Sequence, residues 1–146
     1  MTQVAQILHS KPDQPVFTIA ESASVYDAIK LMSEKGIGAL VVMRHDEIAG
    51  IVTERDYARK VVLMDRSSKN TRVGEIMSSA VRYVHREQTS QDCMALMTQH
   101  RLRHLPVIEK GKLIGMISIG DLVKDIISEQ EFTIQQLEHY ITGGSI

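Results

Sequence analysis

The feature that most constrains this chain is an internal repeat. A shift of 65 positions lays Val16–Val61 onto Val81–Ile126 without a gap. Apolar positions stay in register along the whole overlap, and eight residues of the first copy meet an identical residue: Val16, Asp27, Leu31, Met32, Leu40, Val42, Gly50 and Asp56. Because such self-similarity marks a repeated structural unit, the chain is expected to fold as two similar halves.

Each copy is preceded by a short apolar segment, 4–8 before the first copy and 73–77 before the second. The first copy has extra residues between its leading segment and the repeat, around Pro12 and Pro15. Because proline is typical of loops, these residues are expected to form a loop. The chain is therefore predicted to consist of four parts, which are a first repeat at 1–64, a polar linker at 65–72, a second repeat at 73–128 and a tail at 129–146.

Hydrophobic periodicity predicts the same order of elements in both copies. In the first copy, a short extended run at 16–19 is followed by a helix that begins at Ser24 and ends at Gly36. Two β-rich runs joined by a polar turn then predict a hairpin, and a second helix begins at Glu54. The second copy follows this order, with its last helix expected at about 119–128. The unit is strand, helix, strand, strand, helix, and the fold class is α+β.

The tail is expected to add an extra amphipathic helix from Glu129 onward that ends at Gly143–Gly144. Apolar residues recur along it at helical spacing, but neither repeat offers a counterpart for that face. We therefore expect this helix to lie at a subunit interface.

Charge and composition disfavour several classes of function. The chain has 146 residues, a net charge of -1 and 4% aromatic residues, which gives no general basis for binding nucleic acid or an anionic membrane. Its amino terminus has neither the apolar run of a signal peptide nor that of a membrane span, so a cytoplasmic protein is expected. The single cysteine, Cys93, cannot form an internal disulfide.

Both copies place a hydroxyl and a carboxylate three residues apart where the last strand becomes the last helix. These pairs are Thr53 with Asp56 and Ser118 with Asp121. Free amides at a helix start attract phosphate, and a carboxylate can accept hydrogen bonds from both hydroxyls of a ribose. The junctions are thus candidate nucleotide sites.

The same spacing is also that of a capping box, in which the two side chains satisfy amides of their own helix. Ser24 with Asp27 and Thr89 with Asp92 repeat the spacing at the first helix of each copy, where capping is the preferred interpretation. Spacing alone therefore leaves both interpretations open at the second helices.

A basic run favours an anion site in the second copy. Residues 100–104 read His-Arg-Leu-Arg-His directly before a buried strand, and a polyphosphate requires such a cluster. The first copy has Gly38 and Ala39 at the equivalent place, which would let a planar base approach the backbone. Because Arg55 aligns with Gly120, the two sites are not expected to be equivalent.

The repeat and four stretches resemble a tandem pair of cystathionine beta-synthase (CBS) domains, also called a Bateman module. These stretches are Gly36–Val42, Gly50–Tyr57, Arg101–Ile108 and Gly115–Leu122. The tail, with Tyr140-Ile-Thr-Gly-Gly, is similar to the ends of stand-alone two-CBS proteins.

The resemblance implies a pseudo-two-fold pair of repeats with two clefts between them, assembled into a homodimer. It implies an adenine nucleotide as ligand (AMP, ADP, ATP or NAD(H), with S-adenosylmethionine in some members) and no catalytic cofactor or metal. Carried over by position, the nucleotide-binding residues are Thr18, Ile37, Gly38, Ala39, Thr53, Arg55, Asp56, Tyr83, Arg103, His104, Pro106, Ser118 and Asp121. Asp56 and Asp121 would hold ribose hydroxyls, and Arg55 and Arg103 are the expected cationic partners.

The function expected from the sequence is a non-catalytic regulatory module that binds an adenine nucleotide and signals by a conformational shift to a separate, unidentified protein. The alternative is a structural interaction or dimerisation module whose clefts are empty. An enzyme is disfavoured because no nucleophile-base arrangement or metal-ligand spacing is present. Nucleic-acid binding is supported only by the basic run at 100–104.

Overall fold

The computed structural model describes residues 2–11 and 16–142, and within them the chain forms two compact units. Residues 16–82 form the first-repeat unit, and residues 2–11 together with 83–142 form the second-repeat unit. The elements in chain order are α1 (Val4–Ser10), β1 (Thr18–Ala20), α2 (Val25–Lys35), β2 (Ala39–Arg44), β3 (Glu47–Thr53), α3 (Glu54–Tyr57), a π-helical turn (Ala58–Val62), α4 (Val73–Ile76), α5 (Ser90–His100), β4 (His104–Glu109), β5 (Lys112–Ser118) and α6 (Ile119–Ile141). The α+β class predicted from periodicity is confirmed.

Helix α2 shows how local sequence signals set these elements. Ser24 precedes the helix in extended conformation, and its hydroxyl accepts a hydrogen bond from the Asp27 N–H at 3.1 Å. Gly36 ends the helix in the left-handed region at φ 64°, where a residue without Cβ costs least. Between these ends, Val25, Ala28 and Met32 face the core, so the predicted boundaries are confirmed.

The two units differ in their sheets. In the first-repeat unit β1 pairs in parallel with β2, and β2 pairs antiparallel with β3. In the second-repeat unit β4 and β5 form the hairpin, but the strand expected at 81–84 is reduced to one parallel bridge between Val84 and Val107. Pairing stops there because the chain turns at once, with the Gln88 N–H donating to the His85 carbonyl.

The leading segment of each copy packs in the unit of the other copy. Val4 and Ile7 of α1 lie in the core of the second-repeat unit with Leu105 and Ile117. Val73 and Ile76 of α4 lie in the core of the first-repeat unit, among side chains from α2, β2 and β3. The compact units therefore exchange their leading segments, whereas boundaries at 1–64 and 73–128 follow chain order and stay a prediction.

The second helices depart from their expected form. In the first-repeat unit the helix that begins at Glu54 keeps α geometry only to Tyr57 and continues as a π-helical turn to Val62. In the second-repeat unit α6 runs without a break from Ile119 to Ile141, so the expected C-terminal helix is present and directly continues the second helix of the repeat. No breaker lies between the two parts, and Ser128-Glu-Gln-Glu131 continues the helix. The expected end at Gly143–Gly144 lies outside the described residues.

Two equivalent glycines sit where the leading segments approach the hairpins. A Cβ built on Gly50 would lie 2.5 Å from the carbonyl oxygen of Ser78, which is backbone, whereas one on Gly115 would lie 2.6 Å from Cδ2 of Leu8. A side-chain end can rotate away, but a backbone carbonyl held in a bridge to Ile51 cannot.

Gly50→Ala is therefore expected to cost about 1–3 kcal/mol of unfolding free energy, the usual range for overpacking. Gly115→Ala is expected to cost less, because Leu8 can change rotamer. Urea unfolding of both variants measures the difference. Equal costs, or a larger cost at Gly115, would contradict this account of the close approach.

Candidate functional site

The two candidate sites lie at equivalent junctions, one in each unit, where the hairpin passes into the last helix. In the first-repeat unit the Glu54 N–H donates to the Gly38 carbonyl at 3.1 Å, and Ala39 pairs with Thr53 across the hairpin. This brings the residues before β2 next to the start of α3. The predicted residues Gly38, Ala39 and Thr53 are thus neighbours.

The second-repeat unit has the same arrangement. The Ile119 N–H donates to the Arg103 carbonyl at 2.9 Å, and His104 pairs with Ser118. Arg103, His104 and Ser118 are therefore brought together at the start of α6, as the sequence predicts for one site.

Asp56 closes a capping box at the first of these junctions. Its Oδ2 accepts from the Thr53 N–H at 3.0 Å and from the Thr53 hydroxyl at 3.1 Å, while its own N–H donates to Thr53 Oγ1 at 3.2 Å. Its Oδ1 lies 3.2 Å from Nζ of Lys60, one helical turn later. Lys60 also donates to the Ile76 carbonyl at 2.8 Å. The Asp56 side chain is only 17% exposed.

Asp121 is held by a different set of donors. Its Oδ2 accepts from the Ser118 N–H at 2.8 Å and from Nζ of Lys11 at 2.8 Å. Lys11 follows α1, and its ammonium also donates to the Met116 carbonyl at 2.8 Å. The exposed fraction of the Asp121 side chain is 16%. The carboxylate is thus tied both to its own helix start and to the leading segment.

The first helices show what capping alone looks like. Thr89 and Asp92 form a complete capping box at α5, and Ser24 accepts from the Asp27 N–H at α2. Asp27 and Asp92 are exposed and form no ion pair within residues 2–11 and 16–142. Capping occurs at all four helix starts, but only the carboxylates of the second helices are half-buried and paired with a lysine.

The charges around Asp121 shift two pKa values. Burial alone would raise the pKa of Asp121, but the hydrogen bond from Lys11, the Ser118 N–H and the Lys11 charge outweigh it, and the pKa lies below its usual value. Burial lowers the pKa of His104, against the opposing charge of Asp121 and with the help of Lys11 and Arg103. Near neutral pH the site therefore holds an ionised carboxylate beside a neutral imidazole.

The remaining predicted residues differ in accessibility. Thr18, Arg55 and Arg103 are exposed, and Ile37 is half-buried beside the C-terminal end of α2. Tyr83 is 47% exposed and packs edge-to-face on His85, with ring centroids 5.6 Å apart. Pro106 is buried in β4. Arg101, within the basic run at 100–104, ends α5 in the left-handed region at φ 55°.

Neither Lys60 nor Lys11 was predicted from the sequence. Lys60 was detectable in principle, because Asp56 and Lys60 have the i,i+4 spacing of a helical ion pair. Lys11 gave no local signal, since it lies 110 positions from Asp121.

The described residues show few features of a metal site, a thiol nucleophile or a membrane span. Among residues 2–11 and 16–142, no group of three or more His, Cys, Asp or Glu side chains is placed to hold a metal ion. Burial and the neighbouring charge of Asp92 raise the pKa of the Cys93 thiol to about 11, so Cys93 is a packing residue rather than a thiolate nucleophile. No helix in the described part is long and apolar enough to cross a membrane.

The comparisons with known proteins agree on one family. The model of the CBS domain matches residues 4–63 and again residues 73–128. A solved structure of a signal-transduction protein with CBS domains from Burkholderia ambifaria is 66% identical, covers 88% of this chain and 96% of its own, and has a TM-score of 0.86.

More distant relatives extend the comparison. The mitochondrial CBS domain-containing protein CBSX3 of Arabidopsis thaliana is 46% identical over 126 residues, which are 83% of this chain and 61% of the plant protein. This chain thus spans about three-fifths of that relative. The CBS domain pair of MJ0100, solved with 5'-methylthioadenosine and S-adenosyl-L-methionine, is 22% identical with a TM-score of 0.76 and covers 88% of this chain and 98% of its own. At that identity the likeness is one of fold.

Proposed function

The chain belongs to the CBS domain family as a tandem pair, a regulatory and non-catalytic module, and on that premise we propose that it senses an adenine nucleotide. The ligand class proposed is AMP, ADP, ATP or NAD(H), with ribose hydroxyls accepted by Asp56 and Asp121. Binding shifts the population between conformations of the module, and a separate regulated protein responds to that shift.

One observation carries this proposal. At both second-helix junctions, and at neither first helix, the capping aspartate is half-buried and paired with a lysine. Capping does not need that burial, since the exposed Asp27 and Asp92 stand at the same spacing. A partly desolvated carboxylate next to a hydroxyl at a helix start suits recognition of a polar ligand such as a ribose phosphate.

The test is thermal unfolding of the nucleotide-free protein against millimolar AMP, ADP, ATP, NAD, NADH and S-adenosylmethionine. Ligand at about 100 times its Kd adds about 2.7 kcal/mol of stability, which raises Tm by several degrees. Replacing Asp56 and Asp121 together by alanine is expected to abolish the rise, because each lost carboxylate removes about 1–3 kcal/mol of binding.

The matched control is the double variant Asp27→Ala and Asp92→Ala. It removes two capping aspartates of the same spacing, so it is expected to lower the starting Tm but keep the rise with nucleotide. A rise lost equally in both double variants would contradict the assigned site. No rise in the unmodified protein would favour the structural interaction module with empty sites.

We also propose that the chain forms a homodimer through α6. Five of its seven exposed large apolar residues fall three and four positions apart in a heptad pattern, with one polar residue at the centre. The positions are Val123, Ile127, Gln130, Ile134, Leu137 and Ile141. Such a stripe on a single helix fits a second copy of the same helix, and a central polar residue is a known way to fix its register.

A cytoplasmic location belongs to the same proposal. The plant relative, by contrast, is named as mitochondrial. Fractionation of the source cells tests the cytoplasmic location.

A further inference from the structure

The two oxygens of the Asp121 carboxylate have different surroundings. Oδ2 accepts both the Ser118 N–H and the Lys11 ammonium, each at 2.8 Å. Oδ1 accepts no hydrogen bond from the part of the chain that the structure describes. One oxygen is therefore committed to the protein, and the other is left for an outside donor.

Lys11 is held in place from two sides. Its ammonium donates to the Met116 carbonyl of β5 as well as to Asp121 of α6, and the side chain is 28% exposed. The preceding helix α1 is docked through Val4 and Ile7, which are 0% and 4% exposed in the core of this unit. Lys11 therefore reaches Asp121 only while α1 is docked.

The first-repeat unit obtains its cation differently. Lys60 lies on the same helical stretch as Asp56, is 46% exposed and contacts Oδ1, while Thr53 occupies Oδ2. Oδ2 of Asp56 thus has two donors and Oδ1 has one, which leaves Oδ1 with capacity for a ribose hydroxyl in addition to Lys60. In the second repeat the residue aligned with Lys60 is Asp125, and the residue aligned with Lys11 through the leading segments is Ala80. The lysine at Asp56 therefore comes from its own helical stretch, whereas the lysine at Asp121 comes from the leading segment.

Resting on the nucleotide function proposed above, we propose that Lys11 is a positioning residue for the Asp121 site. It fixes the carboxylate through Oδ2 and leaves Oδ1 to accept a ribose hydroxyl, so that full affinity at this site requires docked α1. Preorganisation of this kind lowers the cost of ordering the site on binding.

The proposal has a pH signature. The charged and titratable groups near Asp121 are Lys11 from the leading segment and His104 at the start of β4. Arg103 acts on His104, and Asp125 follows Asp121 by four positions on α6. Lys11 holds the pKa of Asp121 low against its burial. Without Lys11 that pKa rises, so on acidification the carboxylate is protonated, and loses its acceptor role, at a higher pH than in the unmodified chain.

The experiment measures AMP binding by calorimetry in the full chain carrying Asp56→Ala, which confines AMP to the Asp121 site. Lys11→Met keeps the aliphatic stem but removes the ammonium, and is expected to weaken AMP about three- to tenfold near neutral pH, the size of one hydrogen bond. Between about pH 7.5 and about pH 4.5 the deficit is expected to widen as Asp121 is protonated. Lys11→Arg should restore the pH profile, and the exposed Lys112→Met should match the background.

The outcomes separate the two proposals. Unchanged AMP affinity and an unchanged pH profile in Lys11→Met, with binding abolished by Asp121→Ala, would overturn the role of Lys11 and leave the nucleotide site standing. A uniform loss at every pH that Lys11→Arg does not restore would also overturn it, because a merely structural lysine gives that result. No binding of AMP, ADP, ATP, NAD or NADH by the unmodified chain would overturn both.

Discussion

Replacing Ile76 by alanine is expected to cost about 2–5 kcal/mol of unfolding free energy, the range for truncating a large buried aliphatic side chain. The loss should appear in the first-repeat unit, although Ile76 belongs to the leading segment of the second copy along the chain. Ile76 is fully buried in α4, in one core with Leu40 and Val52. The cavity therefore opens under β2 and β3.

Hydrogen exchange read by mass spectrometry measures where protection is lost. Ile76→Ala should speed exchange in residues 16–82, and Ile7→Ala should speed it in residues 83–142, since Ile7 lies in the other core. The two variants control for each other, because both truncate an isoleucine on a short leading helix. Faster exchange in the repeat that follows each segment, instead of the other one, would contradict the exchange of leading segments.

Local patterns were sufficient to predict most elements. Helix α2 follows from the Ser24 cap, the Gly36 end and three apolar residues at helical spacing, all of which act within one or two turns. The hairpins follow from two β-rich runs around a short turn. In each case the residues that determine the element are close in sequence, so the element can be predicted from one amino-acid sequence.

The exchange of α1 and α4 was not predictable in the same way. Either leading segment, 4–8 or 73–77, could pack in either core. Both cores accept a short helix with apolar residues on one face, and both segments have that pattern. The choice depends on chain reach and packing, which a residue pattern does not encode. The lysine on Asp121 follows from that exchange, and it escaped prediction for the same reason.

The candidate site was predicted in composition but not in its detail. The repeat places Thr53 with Asp56 and Ser118 with Asp121 at equivalent junctions, and the structure brings each pair beside the residues that precede β2 or β4. The sequence also predicts capping with the same spacing, and capping boxes are present at both junctions. What separates these helix starts from α2 and α5 is burial and a lysine, which spacing does not report.

The continuity of α6 changes how its apolar residues are to be interpreted. A helix limited to the residues from Glu129 onward would carry only Ile134, Leu137 and Ile141 on this face, but one helix from Ile119 to Ile141 carries a stripe from Val123 to Ile141. The inner part is anchored by Leu122, which is fully buried in the core. Beyond it, the side chains of 127–142 are exposed, and the stripe has no cover within the described residues.

Ile134→Glu is therefore expected to convert the proposed homodimer to monomer. A seam of two α6 helices would bury a carboxylate from each copy without a partner, at a cost of about 3–5 kcal/mol. A penalty of that size weakens the dimer Kd by roughly two to three orders of magnitude. Sedimentation velocity at micromolar concentration measures the mass.

Phe132→Glu is the control, because Phe132 is 64% exposed on the opposite side of the same helix. This substitution removes as much exposed apolar surface as Ile134→Glu does. It should leave the mass unchanged. If both variants dissociate the assembly, exposed apolar area rather than the heptad stripe holds it together. If neither does, or if the unmodified chain is already a monomer, α6 is not the dimer interface, and the role of its outer half lies with a partner other than a second copy.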